Sequence, residues 1–251
     1  MTDDVRKVFA PVAANYVISP YHAAQAELDV AVEAAQPRPA DLVLDVATGT
    51  GNMGLALAPR VSHVTGLDLT PEMLDQARRV AAERGVENVS WVLGDAEALP
   101  FPDGSFDLWI ARTAPHHFRD LRRSLREANR VLRRGGRIVV VDSSAPREAR
   151  DLMHEVELRR DPSHVRMYTL EEWVAHLEEA GFLVELATLR QMEWEFEPWV
   201  IRVGVPAERV LELAAIVESA TGAAREQLNP ERRGGKLWHR YWHTLLRARK
   251  P

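Results

Sequence analysis

From residue 41 onward, short apolar runs alternate with longer stretches in which apolar positions recur at helical spacing. This is the pattern of strands joined by helices in a largely parallel sheet. Leu42 to Val46 reads as the first strand, Asn52 to Ala58 as the start of a helix, and His63 to Leu67 as the second strand. Thr70 before Pro71 marks a helix start, and Gly85 is placed to stop that helix. Strands follow at Val89 to Leu93 and Phe106 to Ala111, then a helix from Asp120 to Arg133, a Gly135-Gly136 stop, and a strand from Arg137 to Val141. The run Ile138-Val139-Val140-Val141 predicts a strand covered on both faces, in mid-sheet.

After Asp142 the texture changes. Arg147 to Arg160 and Thr169 to Ala180 read as helices, the second opened by the capping-box pattern Thr169-Leu170-Glu171-Glu172 and closed by Gly181. Phe182 to Phe196 alternates, with Val184, Leu186, Met192, Trp194 and Phe196 on one face and Glu185, Glu193 and Glu195 on the other, as in a long strand with one covered face. Pro206 to Ala220 predicts a further helix, and Trp238 to Arg247 a last strand at the sheet edge. Residues 1–40, closed by Pro37 and Pro39, are expected to form a helical cap on a catalytic domain at 41–251, with an insertion at about 191–234.

Composition narrows the chemistry. The 251 residues are 46% hydrophobic and 27% charged, which fits a globular chain. No run approaches the ~20 apolar residues of a membrane helix, and Met1 to Lys7 lead into no apolar signal core, so a soluble cytoplasmic protein without membrane contact is expected. The absence of Cys removes disulfides, thiolate metal sites and cysteine nucleophiles together. With 32 basic and 37 acidic residues the net charge is −5, which disfavours a nucleic-acid partner. The stretch Arg232-Arg233 through Lys236, Trp238, Arg240, Tyr241, Trp242, Arg247 and Lys250 is a local basic exception. It reads as an edge strand whose charges discourage edge pairing, with an RNA-modifying role as a minor alternative.

The most informative segment is Asp45-Val46-Ala47-Thr48-Gly49-Thr50-Gly51-Asn52-Met53-Gly54, with G-x-G-x-x-G spacing at a strand-to-helix junction. Missing side chains let a ligand approach the backbone there, and the helix start offers unpaired N–H groups. Asp68 ends the next strand, where a carboxylate can accept both hydroxyls of a ribose. These two features fit nicotinamide and other nucleoside ligands alike.

Further along, Gly94-Asp95-Ala96-Glu97-Ala98-Leu99-Pro100-Phe101, Ser105-Phe106-Asp107 and Leu132-Arg133-Arg134-Gly135-Gly136-Arg137 follow in order at the expected loops. The whole series resembles class I S-adenosylmethionine-dependent methyltransferases, nearest to the ubiquinone/menaquinone C-methyltransferases and related small-molecule enzymes. The likeness is specific over about residues 41–145. Asp161-Pro162-Ser163-His164 and Thr169 to Trp173 extend it more loosely. It implies a Rossmann-like α/β fold with seven strands, mostly parallel, and an antiparallel last strand. S-adenosylmethionine would be the cofactor and S-adenosylhomocysteine its product. The resemblance puts Gly49 and Gly51 against the methionine moiety, Asp45 on the amino group, Asp68 on the ribose, Leu69 on the adenine face, and Asp95 and Ala96 at the adenine edge. Ala47 stands where many members have the first glycine, and is counted with these cofactor residues.

Arg112, also placed on the cofactor side, opens the loop Thr113-Ala114-Pro115-His116-His117-Phe118, which in the family faces the methyl group. The loop lacks the Asp/Asn-Pro-Pro-aromatic tetrapeptide of enzymes acting on exocyclic base amines. His116 or His117 could take a proton from a hydroxyl, amine or activated carbon, and His116 is the one expected to reach the acceptor. Packing or capping is the competing reading for each. Tyr16, Ser19, Tyr21 and His22 sit where relatives place a cap, and Trp194, Phe196 and Trp199 could line an aromatic pocket or simply fill a core. Glu193, Glu195 and Glu197 have no partner His at fixed spacing, so no metal is expected. The function expected is methyl transfer to a small apolar or aromatic metabolite. An NAD-dependent oxidoreductase and a nucleoside-binding module without turnover are the rivals. Oligomeric state is not legible.

Overall fold

The computed structural model describes residues 5–14 and 24–251. Among these, eight strands form one sheet. They are β1 (Leu42–Val46), β2 (His63–Asp68), β3 (Val89–Leu93), β4 (Phe106–Arg112), β5 (Leu132–Ser144), β6 (Leu183–Glu195), β7 (Glu231–Arg233) and β8 (Lys236–Arg249). The order is β3-β2-β1-β4-β5-β8-β6, with the short β7 paired to β8 outside this path. β1 to β5 run parallel, and β8 is antiparallel to both neighbours. The chain leaves β1 for β2 and β3 and then crosses back to β4. The sheet order therefore reverses between β1 and β4, the place where open α/β sheets leave a crevice outside their carboxyl ends.

Two apolar layers enclose the sheet. β4 shows the division: Trp109 and Ala111 enter one layer, Leu108 and Ile110 the other. The first layer is closed by α5 (Leu121–Val131) and α7 (Leu170–Glu179) through Leu125, Ala128, Trp173 and Leu177. The second is closed by α2 (Gln25–Ala35) and α3 (Asn52–Leu57) through Leu28, Val32, Met53 and Leu57. α4 (Pro71–Glu83) flanks β2 and β3. Local signals act as the sequence suggests at two helix starts. Asp120 accepts the N–H of Arg123, and Thr169 and Glu172 form both bonds of a capping box.

Two elements differ from expectation. The last strand is interior, between β5 and β6, and the alternating strand β6 takes the edge. Most basic side chains of the terminal segment meet acids: Arg247 and Arg249 pair with Glu185, Arg233 with Glu193, Lys236 with Glu195, and Arg232 with Glu218. Neighbouring strands thus carry complementary charge. β6 runs to Glu195, as its alternation suggested, and the helices that precede β7 follow: α8 (Phe196–Ile201), α9 (Ala207–Glu218) and α10 (Gly222–Leu228). With α6 (Arg147–Arg160) they enclose their own cluster of Met153, Val156, Phe196, Trp199, Leu213, Val217 and Tyr241. Second, strand pairing past Val141 carries β5 to Ser144. No described helix is long and apolar enough to cross a membrane.

Candidate functional site

At the carboxyl ends of β1, β2 and β4 lies a cleft of about 440 Å³, within the range of small-molecule sites. Asp45, Ala47, Thr48, Gly49, Asp68, Leu69, Asp95, Ala96, Arg112 and His117 line it, and α1 (Val5–Phe9) contributes Val5, Arg6 and Phe9 across its mouth.

The glycine loop is held from behind by two buried carboxylates. Oδ2 of Asp45 accepts the Thr48 hydroxyl at 2.5 Å and the N–H of Gly54 at 2.9 Å. Asp68 accepts the N–H of Gly49 on Oδ2 at 2.8 Å and the N–H of Thr70 on Oδ1 at 2.9 Å, tying the loop to the start of α4. Gly49 has a positive φ of 56°, and a Cβ there would meet nothing within 4 Å, so the backbone is open to a ligand. Burial pushes the Asp45 carboxyl up to about 6, against the bonds from Thr48 and Gly54 and the charge of Arg112. Burial likewise raises Asp68 above the usual carboxylate range. Burial lowers Arg112 to about 10 against the charges of Asp45 and Glu27, so it keeps its proton near neutrality. Two non-glycine lining residues, Ala47 at φ 53° and Thr113 at φ 50°, hold left-handed backbone, a conformation that costs roughly 1–2 kcal/mol with a Cβ present. At Ala47 this explains why glycine is the common residue of the motif.

Gly51 does not line the cleft. Its φ is 81°, and a Cβ would lie 2.6 Å from the ring of Trp91 on β3. The same ring would lie 2.5 Å from a Cβ on Gly66. Both glycines make room for Trp91 beneath the loop, whereas the resemblance put Gly51 against the methionine moiety.

The two histidines separate. His117 lines the cleft, with the Phe9 ring edge-on at a centroid distance of 5.2 Å. His116, the residue expected to reach the acceptor, turns inward, and its Nδ1 meets the buried Asp142 at 2.6 Å. Burial works against its charge, but Asp142 together with Glu157 and Asp161 outweighs burial and holds the ring above its ordinary value. His117 is depressed to about 4 by burial and by the charge of His116, against the opposing pull of Asp161.

Other sequence candidates lie elsewhere. Trp199 is 2% exposed in the core enclosed by α6 and α8 to α10, with the Arg160 guanidinium 4.5 Å from its ring centre. Trp194 stacks on Tyr241 at 4.3 Å beside the same core. Alternation along β6 marked Trp194 as facing a core, and that core is this one and not the cleft, while Trp199 stands on α8. Tyr16, Ser19, Tyr21 and His22 lie outside the described residues. Among the described residues no group of three or more His, Asp or Glu side chains is arranged to hold a metal. Sequence reasoning did not single out Arg6, Phe9, Met73, Phe118 or Arg119 as site residues, all of which line the cleft. Met73 and Phe118 carried helical and loop positions whose direction only the fold sets.

A sequence model of the methyltransferase domain matches residues 43–136. The uncharacterized methyltransferase YcgJ of Bacillus subtilis (strain 168) is 37% identical over 202 residues, 80% of each chain. Its crystal structure matches with a TM-score of 0.84, covering 90% of this chain and 98% of that one. A structure from Bacillus halodurans C-125, also assigned as a methyltransferase, matches at 35% identity with a TM-score of 0.85 over 90% of this chain and 99% of that one. The demethylmenaquinone methyltransferase of Thermus thermophilus is 42% identical over 136 residues, 53% of this chain and 60% of that one.

Proposed function

The chain belongs to the class I methyltransferase family, and from that premise we propose that its cleft binds S-adenosylmethionine and that it methylates a small apolar or aromatic metabolite. The observation that carries this reading is the convergence of Asp45, Gly49 and Asp68 on one cleft, two buried carboxylates around an open backbone. A nucleoside joined through sulfur to an amino acid needs that set: a carboxylate for an ammonium, another for a diol, and a backbone without side chains between them.

Asp45 and Arg112 offer opposite charges to the amino and carboxylate groups of the methionine end. Asp68 retains lone pairs for the ribose, because a carboxylate accepts about four hydrogen bonds and the backbone uses one on each oxygen. Leu69, Ala96, Met73 and Phe118 supply apolar wall, and Asp95 stands at the rim. S-adenosylmethionine, when bound, supplies a methyl group on a sulfonium centre. Phe9 and Phe118 add aromatic surface to the same cleft and favour an apolar acceptor, because in-line displacement is helped by a dry, oriented encounter. His117 is neutral near pH 7 and can accept a proton from a hydroxyl, amine or activated carbon.

Calorimetric titration tests the cofactor. Micromolar affinity for S-adenosylhomocysteine without a response to NAD supports the reading, whereas binding of NAD alone overturns it. Transfer of label from methyl-labelled S-adenosylmethionine to a panel of phenols, quinols and amines then tests the acceptor class. Binding without transfer to any acceptor would leave a nucleoside-binding module.

A further inference from the structure

The segment from Asp161 to Arg166 lies between α6 and α7, beyond residues 43–136, yet it packs against the histidine loop. The N–H groups of Val165 and Arg166 donate to the carbonyl of His116 at 2.9 and 3.2 Å. Asp161 and Ser163 are 3% and 1% exposed. Oδ1 of Asp161 accepts both the N–H of Ser163 at 2.9 Å and its hydroxyl at 2.6 Å. Nδ1 of His117 is 3.2 Å from the carbonyl oxygen of Ser163 and 3.1 Å from its hydroxyl oxygen.

These bonds settle where the imidazole hydrogen sits. A carbonyl oxygen only accepts, and the Ser163 hydroxyl hydrogen is already committed to Asp161, so both neighbours of Nδ1 call for a donor. A neutral imidazole carries one N–H. With it on Nδ1, the lone pair is on Nε2. Oδ2 of Asp161 lies 4.0 Å from that nitrogen, close enough to favour the ring's charged form once a proton arrives. The His116 ring, 4.0 Å away between centroids and paired with Asp142, opposes a standing charge. His164 and Glu157 complete the ionisable surroundings.

We propose that Asp161 and Ser163 are positioning residues for the methyl transfer: they fix His117 in its Nδ1–H tautomer, leaving Nε2 as the atom that receives the acceptor's proton. The acceptor atom forms the new bond to the methyl carbon, the carbon–sulfur electron pair returns to sulfur, and the proton displaced from the acceptor goes to Nε2 and then to solvent. The inference rests on the reading of His117 as the base in the proposed function, but the tautomer can be measured apart from it.

The test uses the full chain labelled with ¹⁵N-histidine, with the His117 ring signals assigned by their loss in His117→Gln. Near pH 7.5 the wild type should show His117 as the Nδ1–H tautomer. Asp161→Ala frees the Ser163 hydroxyl to donate to Nδ1, so an Nε2–H population should appear. Asp161→Asn keeps an oxygen for both Ser163 bonds and should restore the wild-type tautomer. S-adenosylhomocysteine affinity within a few-fold of wild type shows that each variant is folded. If Asp161→Ala does not fold, Ser163→Ala removes one of the two acceptors and should also raise the Nε2–H fraction. An Nε2–H tautomer in the wild type, or no change in any folded variant, overturns the proposal. Retained methyl transfer in His117→Gln would instead defeat the base reading, while the tautomer result would still decide whether Asp161 and Ser163 set the ring.

Discussion

Nδ1 of His116 lies 2.6 Å from Oδ1 of Asp142, whose side chain has no exposure to solvent. The pair joins the loop after β4 to the end of β5, behind the wall of the cleft. Because the folded ring titrates above its ordinary 6.5, its stabilising contribution is complete below that value and is lost as pH rises through the raised one. His116→Ala leaves a buried carboxylate without its partner, which should cost about 3–5 kcal/mol below pH 6.5. Asp142→Asn in the same chain removes the stranded charge and should recover part of that loss. Urea unfolding from pH 5.5 to 9 checks both statements. A wild type whose stability does not fall on the alkaline side would show that the ring is not charged in the fold.

Asp68 offers a second test, because its two oxygens already hold Gly49 and Thr70. Asp68→Asn must turn its amide nitrogen toward one of those N–H groups, and an unsatisfied buried donor costs about 1–3 kcal/mol. Losing the charged acceptor for the ribose, a bond worth about 1.5–3 kcal/mol, should also weaken S-adenosylhomocysteine binding at least ~10-fold, since 1.4 kcal/mol is tenfold. Asp68→Ala, which removes loop support and ligand acceptor together, should weaken binding at least as much. Calorimetry on folded protein decides, and wild-type affinity in either variant rejects the ribose role.

Gly66 and Trp91 supply a packing prediction. A Cβ on Gly66 would stand 2.5 Å from two carbons of the indole and 3.0 Å from the Thr48 methyl. Gly66→Ala should therefore destabilise by roughly 1–3 kcal/mol, the usual cost of overpacking. Trp91→Leu in the same chain should relieve part of it. A double-mutant cycle measured by urea unfolding should give a coupling of the relieving sign, and strict additivity would show that the indole is not what the glycine accommodates.

The parts of the fold legible in the sequence are those governed by local pattern. Apolar runs marked β1 to β5, and side-chain caps at Asp120 and Thr169 marked two helix starts. Position in the sheet was harder. β8 carries buried His239, His243 and Thr244 together with a row of arginines, so its composition resembles an edge strand although it is interior. What conceals its nature is that its charges are answered by glutamates on β6, more than forty residues earlier in several cases. The glycine motif and the carboxylates behind it were legible as one loop, which the structure places at the cleft. The division of labour inside it was not, because Gly51 answers to an indole from β3 and His116 to a carboxylate from β5. The Asp161-Pro162-Ser163-His164 run was visible as a sequence feature, but the ring it addresses was set by tertiary packing.

Asp45 provides the last prediction, in which stability and binding should move in opposite directions. The folded carboxyl titrates at about 6 instead of 3.8, with burial the main cause. A raised carboxylate value means the folded chain binds the proton more tightly than the unfolded chain does. The ionised group therefore opposes folding above about pH 6, and the opposition fades to nothing below 3.8. The shift corresponds to about 3 kcal/mol at pH 7. In Asp45→Asn the amide oxygen can replace Oδ2 as acceptor for Thr48 and Gly54, while the charge is gone. The ligand-free variant should accordingly melt higher than wild type at pH 7.5, and the difference should shrink as pH falls from about 6 toward 4. Binding should change the other way, because an ammonium in the cleft interacts with the carboxylate and not with an amide. Wild-type affinity for S-adenosylhomocysteine should weaken as pH falls below about 6, and the variant should bind at least ~10-fold less tightly at pH 7.5 without that dependence. Thermal melts and calorimetry on the two proteins across the same buffers separate the effects. If the variant is less stable at pH 7.5 yet binds normally, Asp45 is a structural anchor of the loop and the ammonium contact must be sought elsewhere in the cleft.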